Sequence, residues 1–181
     1  MRNDLIIDFE TMGQDVNKCA VIDISAMVFN WDKMTSDDPY TLADISKCRK
    51  FKFDVKEQVQ KYGYEIDPST LAFWNEQSKE VRRNIAPKSS DLSVADFVKQ
   101  FTDFLIEAPT IKYWWSRSNT FDPMILSRLF QSQNKLPHME QHLKYWSVRD
   151  TRTYIDAKFN FSLKKNGCLL YTSDAADEGF C

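Results

Sequence analysis

The sequence predicts an α/β fold, a mixed five-stranded sheet flanked by helices. Three observations predict it. Short apolar runs rich in β formers fill the first third of the chain. From Asp67 the apolar period lengthens to that of helices. Two further short runs, Ile111 to Trp115 and Tyr145 to Val148, are each followed by a helix start.

The elements follow in order. Leu5 to Phe9 is an apolar run and reads as the first strand. Cys19 to Phe29, with Val21, Ile22, Ile24, Val28 and Phe29, reads as the second. Asn17 in the connection suits a hairpin turn. Arg49 to Val55 alternates, with Phe51, Phe53 and Val55 on one face, and closes a three-stranded antiparallel unit. Asp67-Pro68 is an N-cap with proline at the first helical position, and Leu71, Phe73 and Trp74 are that helix's apolar positions. Ser78 to Asn84 is a second helical stretch, basic through Lys79, Arg82 and Arg83, and Pro87 stops it. Ser93, with Asp96 three residues on, opens a helix striped by Phe97, Phe101, Phe104 and Leu105. Ile111 to Trp115 is the fourth strand. Asp122-Pro123 repeats the cap-plus-proline signal before a helix lined by Met124, Ile125, Leu129 and Phe130. Tyr145 to Val148 is the fifth strand, and Asp150 caps a last helix through Ile155.

The bulk properties set bounds on function. A chain of 181 residues makes one domain, and one of this size buries about 70% of its unfolded surface without staples. Five tryptophans with few glycines and prolines mark a globular composition. No stretch approaches a membrane span. Asp4 and Asp8 interrupt the first apolar run, so no secretory signal is expected. Cys19, Cys48, Cys168 and Cys181 lack paired or metal-ligand spacing and read as reduced thiols. The net charge of −2 excludes a broad surface that coats nucleic acid. It leaves open a protein that grips a single chain end.

Asp8 and Glu10 are the sharpest chemical signal. Side chains at i and i+2 of a strand share a face, with Cα atoms roughly 7 Å apart. Two carboxylates there repel each other, and burial disfavours both charges. A bound cation relieves both problems, and Mg²⁺ takes oxygen ligands of this kind. A strand that simply runs into solvent explains the pair equally well. Asp122 reads as an N-cap, a role compatible with binding a metal at a strand-to-helix edge. Asp150 reads as a cap. His138 and His142 flank a polar loop and read as surface residues. The Lys79–Arg83 cluster is a solvated helix face or a phosphate contact.

Four blocks carry a resemblance: DFETMG, FWNEQSKEVRRNIAP, SRSNTFDPMIL and YWSVRDTRT, from about Asp4 to about Ile155. In this order they resemble the T-even phage group of exodeoxyribonucleases, a branch of the DEDD exonucleases (DEDDh type) with the ribonuclease H-like fold. The resemblance implies a Mg²⁺-dependent 3′–5′ exonuclease that releases 5′-mononucleotides from DNA, with single-stranded ends as substrate. Asp8, Glu10 and Asp122 would be catalytic and would hold two Mg²⁺ ions, or Mn²⁺, about 3.5–4 Å apart. Thr11, Met12 and Gly13 would meet the terminal nucleotide, and Trp74 and Gln77 would line the substrate groove. Arg149 and Asp150 would be mainly structural. The implied partner is a nucleic acid 3′ end, DNA before RNA, with no membrane, in the cytoplasm of a bacterium or a phage-infected cell. An exoribonuclease of the same fold and a nuclease-dead end-binding module are the alternatives.

The sequence departs from the family at its third motif, which should carry a histidine general base and a fourth carboxylate. No histidine follows His142. The segment CLLYTSDAADEGFC resembles a translated sequencing adapter. Residues 1–166 are therefore expected to be an incomplete exonuclease domain, and residues 167–181 a non-native tail. Without that tail the body has 24 basic and 23 acidic residues, a net charge of +1. Impaired activity of this chain is expected, because general-base assistance is typically worth ~10²–10⁴ in rate.

Overall fold

The computed structural model describes residues 2–34 and 36–159. The expected boundary at residue 166 and the tail beyond it lie outside the described residues. Five strands form one sheet: β1 (Asn3–Thr11), β2 (Val21–Asn30), β3 (Arg49–Lys52), β4 (Ile111–Ser116) and β5 (Val148–Asp150). Their order is β3-β2-β1-β4-β5. β3, β2 and β1 pair antiparallel, and β4 and β5 continue parallel to β1. The mixed five-stranded sheet read from the sequence is thus present. Nine described helices surround it: α1 (Trp31–Met34), α2 (Leu42–Ile45), α3 (Val55–Tyr62), α4 (Pro68–Glu76), α5 (Lys79–Ile85), α6 (Val94–Glu107), α7 (Asp122–Ser132), α8 (Leu136–His142) and α9 (Thr151–Phe159).

Register assigns the two faces of the sheet, because residues opposite each other across strands share a face. One face carries the rows Phe51–Ile24–Phe9, Ala26–Ile7 and Val28–Leu5–Trp114–Val148. It is the core face. Leu5, Ile7, Phe9, Ile24 and Phe51 are buried there. α6 covers it with Phe97 and Phe101, whose rings meet Phe51 edge-on at 5.6 and 5.5 Å. Such pairs add about 0.5–1.5 kcal/mol beyond area burial. α7 adds Ile125, Leu126, Leu129 and Phe130, all fully buried. The other face carries Lys52–Asp23–Glu10, Lys50–Ser25–Asp8 and Met27–Ile6–Trp115–Arg149. Trp31 stacks on Trp115 there, and Tyr154 of α9 meets both rings edge-on.

Local signals set most helix starts. Asp67, Ser78 and Ser93 accept hydrogen bonds from Thr70, Val81 and Asp96 amides, as caps should. Asp150 accepts from the Thr153 amide at 3.1 Å, so it is a cap as expected.

Four expectations need correction. β3 ends at Lys52, and Val55 is the first residue of α3. Asp54 caps that helix through the Glu57 amide, and Gly63 ends it at φ 68°, a left-handed conformation suited to glycine. The alternation Phe51-x-Phe53-x-Val55 therefore runs across an element boundary. Tyr145–Ser147 is a 3₁₀ turn, and the fifth strand begins only at Val148. The stretch bearing His138 and His142 is helix α8, with Met139 buried and His138 exposed. Met124 points outward and is 50% exposed.

Candidate active site

The C-terminal ends of the three parallel strands meet at one cleft of about 690 Å³. The crevice beyond these ends is where open α/β sheets bind ligands. β1 brings Asp8 and Glu10 to its wall, and the β4–α7 connection brings Asp122. Asp122 is the first residue of α7 rather than its N-cap; Phe121 holds the cap position. The Asp122 Oδ1 accepts from the Phe9 amide at 3.0 Å. That bond ties α7 to β1 between the two β1 carboxylates, across 113 residues of chain.

Burial and like charge govern all three acids. Asp8 is open to solvent in the cleft, yet the surrounding walls displace enough water to raise its pKa, and Asp23 adds repulsion. Glu10 is pushed up to about 8, first by burial and then by Asp8, Asp23 and Asp122. Asp122 is pushed up to about 7 by burial and by Asp8, against the Phe9 hydrogen bond and the charge of Arg152. Acids of one sign crowded into a cleft are what a divalent cation relieves, so the donor chemistry fits Mg²⁺ or Mn²⁺. Among the described residues, however, no three acidic, histidine or cysteine side chains already stand as a coordinating group.

The segment after Glu10 shapes the cleft. The β1–β2 register shifts between Glu10 and Thr11, an irregularity of the kind found beside active sites. Thr11 Oγ1 donates to the Gly13 carbonyl at 2.7 Å, and the Thr11 carbonyl accepts from Trp74 Nε1 at 2.9 Å. Gly13 is buried, and a Cβ there would stand 3.2 Å from the Cys19 Cβ and 3.3 Å from the Asp67 Cβ. Thr11, Gly13 and Trp74 line the cleft. Met12 does not: it packs against the core, and its backbone bonds Ala20 and Asp67. Nor does Gln77, whose amide donates to the Phe73 carbonyl at the end of α4.

Other residues complete the picture. Asp23 lies opposite Glu10 on β2, and its own pKa is raised by burial against the pull of Lys50 and Lys52. One acidic residue inside the apolar run VIDIS was its signal. Phe73, Arg117 and Arg152 also line the cleft. His138, His142 and the Lys79–Arg83 cluster do not.

A profile of the 3′–5′ exoribonuclease Rv2179c-like domain matches residues 3–174. The chain belongs to this exonuclease family. The chain is 37% identical over 168 residues to the exodeoxyribonuclease of Enterobacteria phage T4, covering 85% of this chain and 71% of that protein. Among solved structures it resembles E. coli exonuclease I in complex with a dT13 oligonucleotide, with TM-score 0.59 and 15% identity. It also resembles the zinc-bound form of the E. coli exonuclease I–ssDNA complex, with TM-score 0.60 and 14% identity. Each match covers 92% of this chain and 31% of that one, so the chain spans about a third of those proteins. The fold is ribonuclease H-like. No described helix is long and apolar enough to cross a membrane.

Proposed function

We propose that the protein is a metal-dependent 3′–5′ exonuclease that removes 5′-mononucleotides from single-stranded DNA ends. The observation that carries the reading is the Phe9–Asp122 bond, which fixes a distant carboxylate beside Asp8 and Glu10 in one cleft. Asp8 and Glu10 would hold Mg²⁺ or Mn²⁺ from β1, and Asp122 from α7. Bound there, such ions supply a Lewis acid for the phosphodiester and a water activated near neutral pH. The chain's own residues do the rest. The absence of a Cβ at Gly13 lets this turn of the cleft wall pack closely on Cys19 and Asp67, and Thr11 and Trp74 form the adjoining wall against which a terminal nucleotide would lie. His138 and His142 lie on α8, away from the cleft lining, so neither serves as general base. We infer that the 181-residue chain alone is impaired for that reason.

A second reading has its own support, since the matching family profile is described as an exoribonuclease. One experiment separates the readings. The chain, and a chimera carrying the C-terminal segment of the T4 relative, are incubated with matched DNA and RNA oligonucleotides, with Mg²⁺ or with EDTA. The chimera should release 5′-mononucleotides from DNA 3′ ends in Mg²⁺ alone, the chain far less, and Asp122→Ala should abolish release. Hydrolysis confined to RNA would establish the exoribonuclease instead. Tight end binding without hydrolysis, unaffected by Asp122→Ala, would leave a binding module.

A further inference from the structure

We propose that Arg117 and Arg152 form a phosphate clamp, binding the substrate backbone in the cleft that holds the β1 carboxylates. The inference rests on the exonuclease reading above and adds the residues that hold its substrate.

Register places both arginines at the site. Ile6 pairs with Trp115 between β1 and β4. Two residues further along β1 stands Asp8, and Arg117 directly follows Ser116, the last residue of β4. Ser116 pairs with Asp150 between β4 and β5, and Arg152 lies in the first turn of α9, two residues after β5 ends. The three parallel strands thus deliver acids from the central strand and one arginine after each of the next two. Both arginines line the same cleft as Asp8, Glu10 and Asp122, and both are half-buried. They divide the acids between them: the charge of Arg117 acts on Asp8, and that of Arg152 on Asp122.

Two neighbouring arginines show the contrast. Arg149 stacks on Tyr113 at 4.0 Å and donates to the Trp146 and Val148 carbonyls. Arg128 stacks on Tyr64 at 4.1 Å and donates to the Cys19 carbonyl. Both lie outside the cleft lining. Arg117 and Arg152 are the only Lys or Arg side chains among the described lining residues. A polyanion entering a cleft with three carboxylates needs cations there, and a guanidinium fork matches phosphate oxygens two at a time.

The test is binding of a fluorescent single-stranded oligodeoxythymidine, about a dozen residues long, to the full chain in Ca²⁺ across a KCl series. Arg117→Met and Arg152→Met should each weaken binding about tenfold, and each should lower the log–log salt slope by about 0.7, one phosphate contact on a single strand. Arg117→Lys and Arg152→Lys should keep the slope, which shows that the Met variants lost a contact rather than the fold. Arg149→Met should leave the slope unchanged. A neutral methylphosphonate at the last linkage should weaken wild type and leave the Met variants little changed. Unaltered slopes in both Met variants, with wild type binding normally, would overturn the clamp. Failure of wild type to bind the oligonucleotide at all would overturn the exonuclease reading beneath it.

Discussion

Asp4 and Asp8 stand four residues apart on the same face of β1, and their surroundings are opposite. Asp4 is fully buried and fully answered: Arg2 meets it at 2.6 Å and Trp115 Nε1 donates to it at 2.8 Å. Arg2 in turn lies over the Trp31 and Tyr113 rings. Asp8 faces other acids, with Asp122 brought in by α7 and Asp23 present on β2. Residue type and strand face are shared, so neither distinguishes the structural acid from the candidate functional one. What distinguishes them is that Asp4 is answered by a direct ion pair and an indole N–H, whereas Asp8 stands among acids with only the charges of Arg117 and Lys50 set against them. At one end of β1 the fold completes an ion pair; at the other it gathers like charges.

The largest expected effect breaks the completed end. Asp4→Ala should cost about 2–4 kcal/mol in chemical denaturation, the lower part of the usual range for breaking a buried pair because the Arg2 side chain is 29% exposed. It also strands the Trp115 indole N–H. Asp8→Asn in the same assay, in EDTA at pH 8, should move stability the other way, since it removes a repelling charge. If both substitutions destabilise alike, the contrast between the two ends is wrong.

The next effect is smaller and depends on pH. The folded state raises Glu10 to about 8 and Asp122 to about 7, so it favours their neutral forms. A raised carboxyl contributes stability that is complete below its unfolded value and is lost as pH rises through its folded value. Metal-free protein should therefore lose stability steadily from about pH 5 to about pH 8. Glu10→Gln should flatten the upper part of that decline, gaining on the order of 1 kcal/mol at pH 8, because the coupled acids share the penalty. Mg²⁺ or Mn²⁺ should restore stability to wild type at pH 8 and less so to Glu10→Gln. Thermal melts across pH, with EDTA or metal, check both; a flat wild-type profile in EDTA would remove the electrostatic account of the site.

The same contrast explains what could be read from the sequence. Caps and alternation are local, so Asp67, Ser93 and Asp150 and most strands were visible. Asp8 and Glu10 were visible because a strand puts i and i+2 together. Asp122 was visible as a helix start but mis-assigned as the cap, because its partner is the Phe9 amide, 113 residues away. Asp4 gave no sign that it differs from Asp8, since its partners come from β4 and from Arg2. Arg117 and Arg152 reach the cleft only through the β1–β4–β5 register, which no local pattern encodes. α3 and α8 were missed for another reason. α3 has only a short stripe, Val55, Val59 and Tyr62, whose first member also completes the strand-like alternation Phe51-x-Phe53-x-Val55, and α8 shows few apolar residues beyond Met139.

The smallest effect concerns Asp150, an acid at the C-terminal end of a parallel strand, as Asp8 and Glu10 are. Its Oδ1 accepts from the Thr153 amide, the ordinary work of a cap. It is absent from the cleft lining, while Arg152 two residues on is part of it. Asp150→Ala should cost about 1 kcal/mol, the usual loss of a helix N-cap. Asp150→Ser should recover most of that, because a hydroxyl caps nearly as well. Neither should alter the metal-dependent gain in melting temperature at pH 8. If Asp150→Ser keeps full stability but loses that gain, Asp150 answers to the metal rather than to the helix. The division of acids by the charge around them would then have to be redrawn at β5.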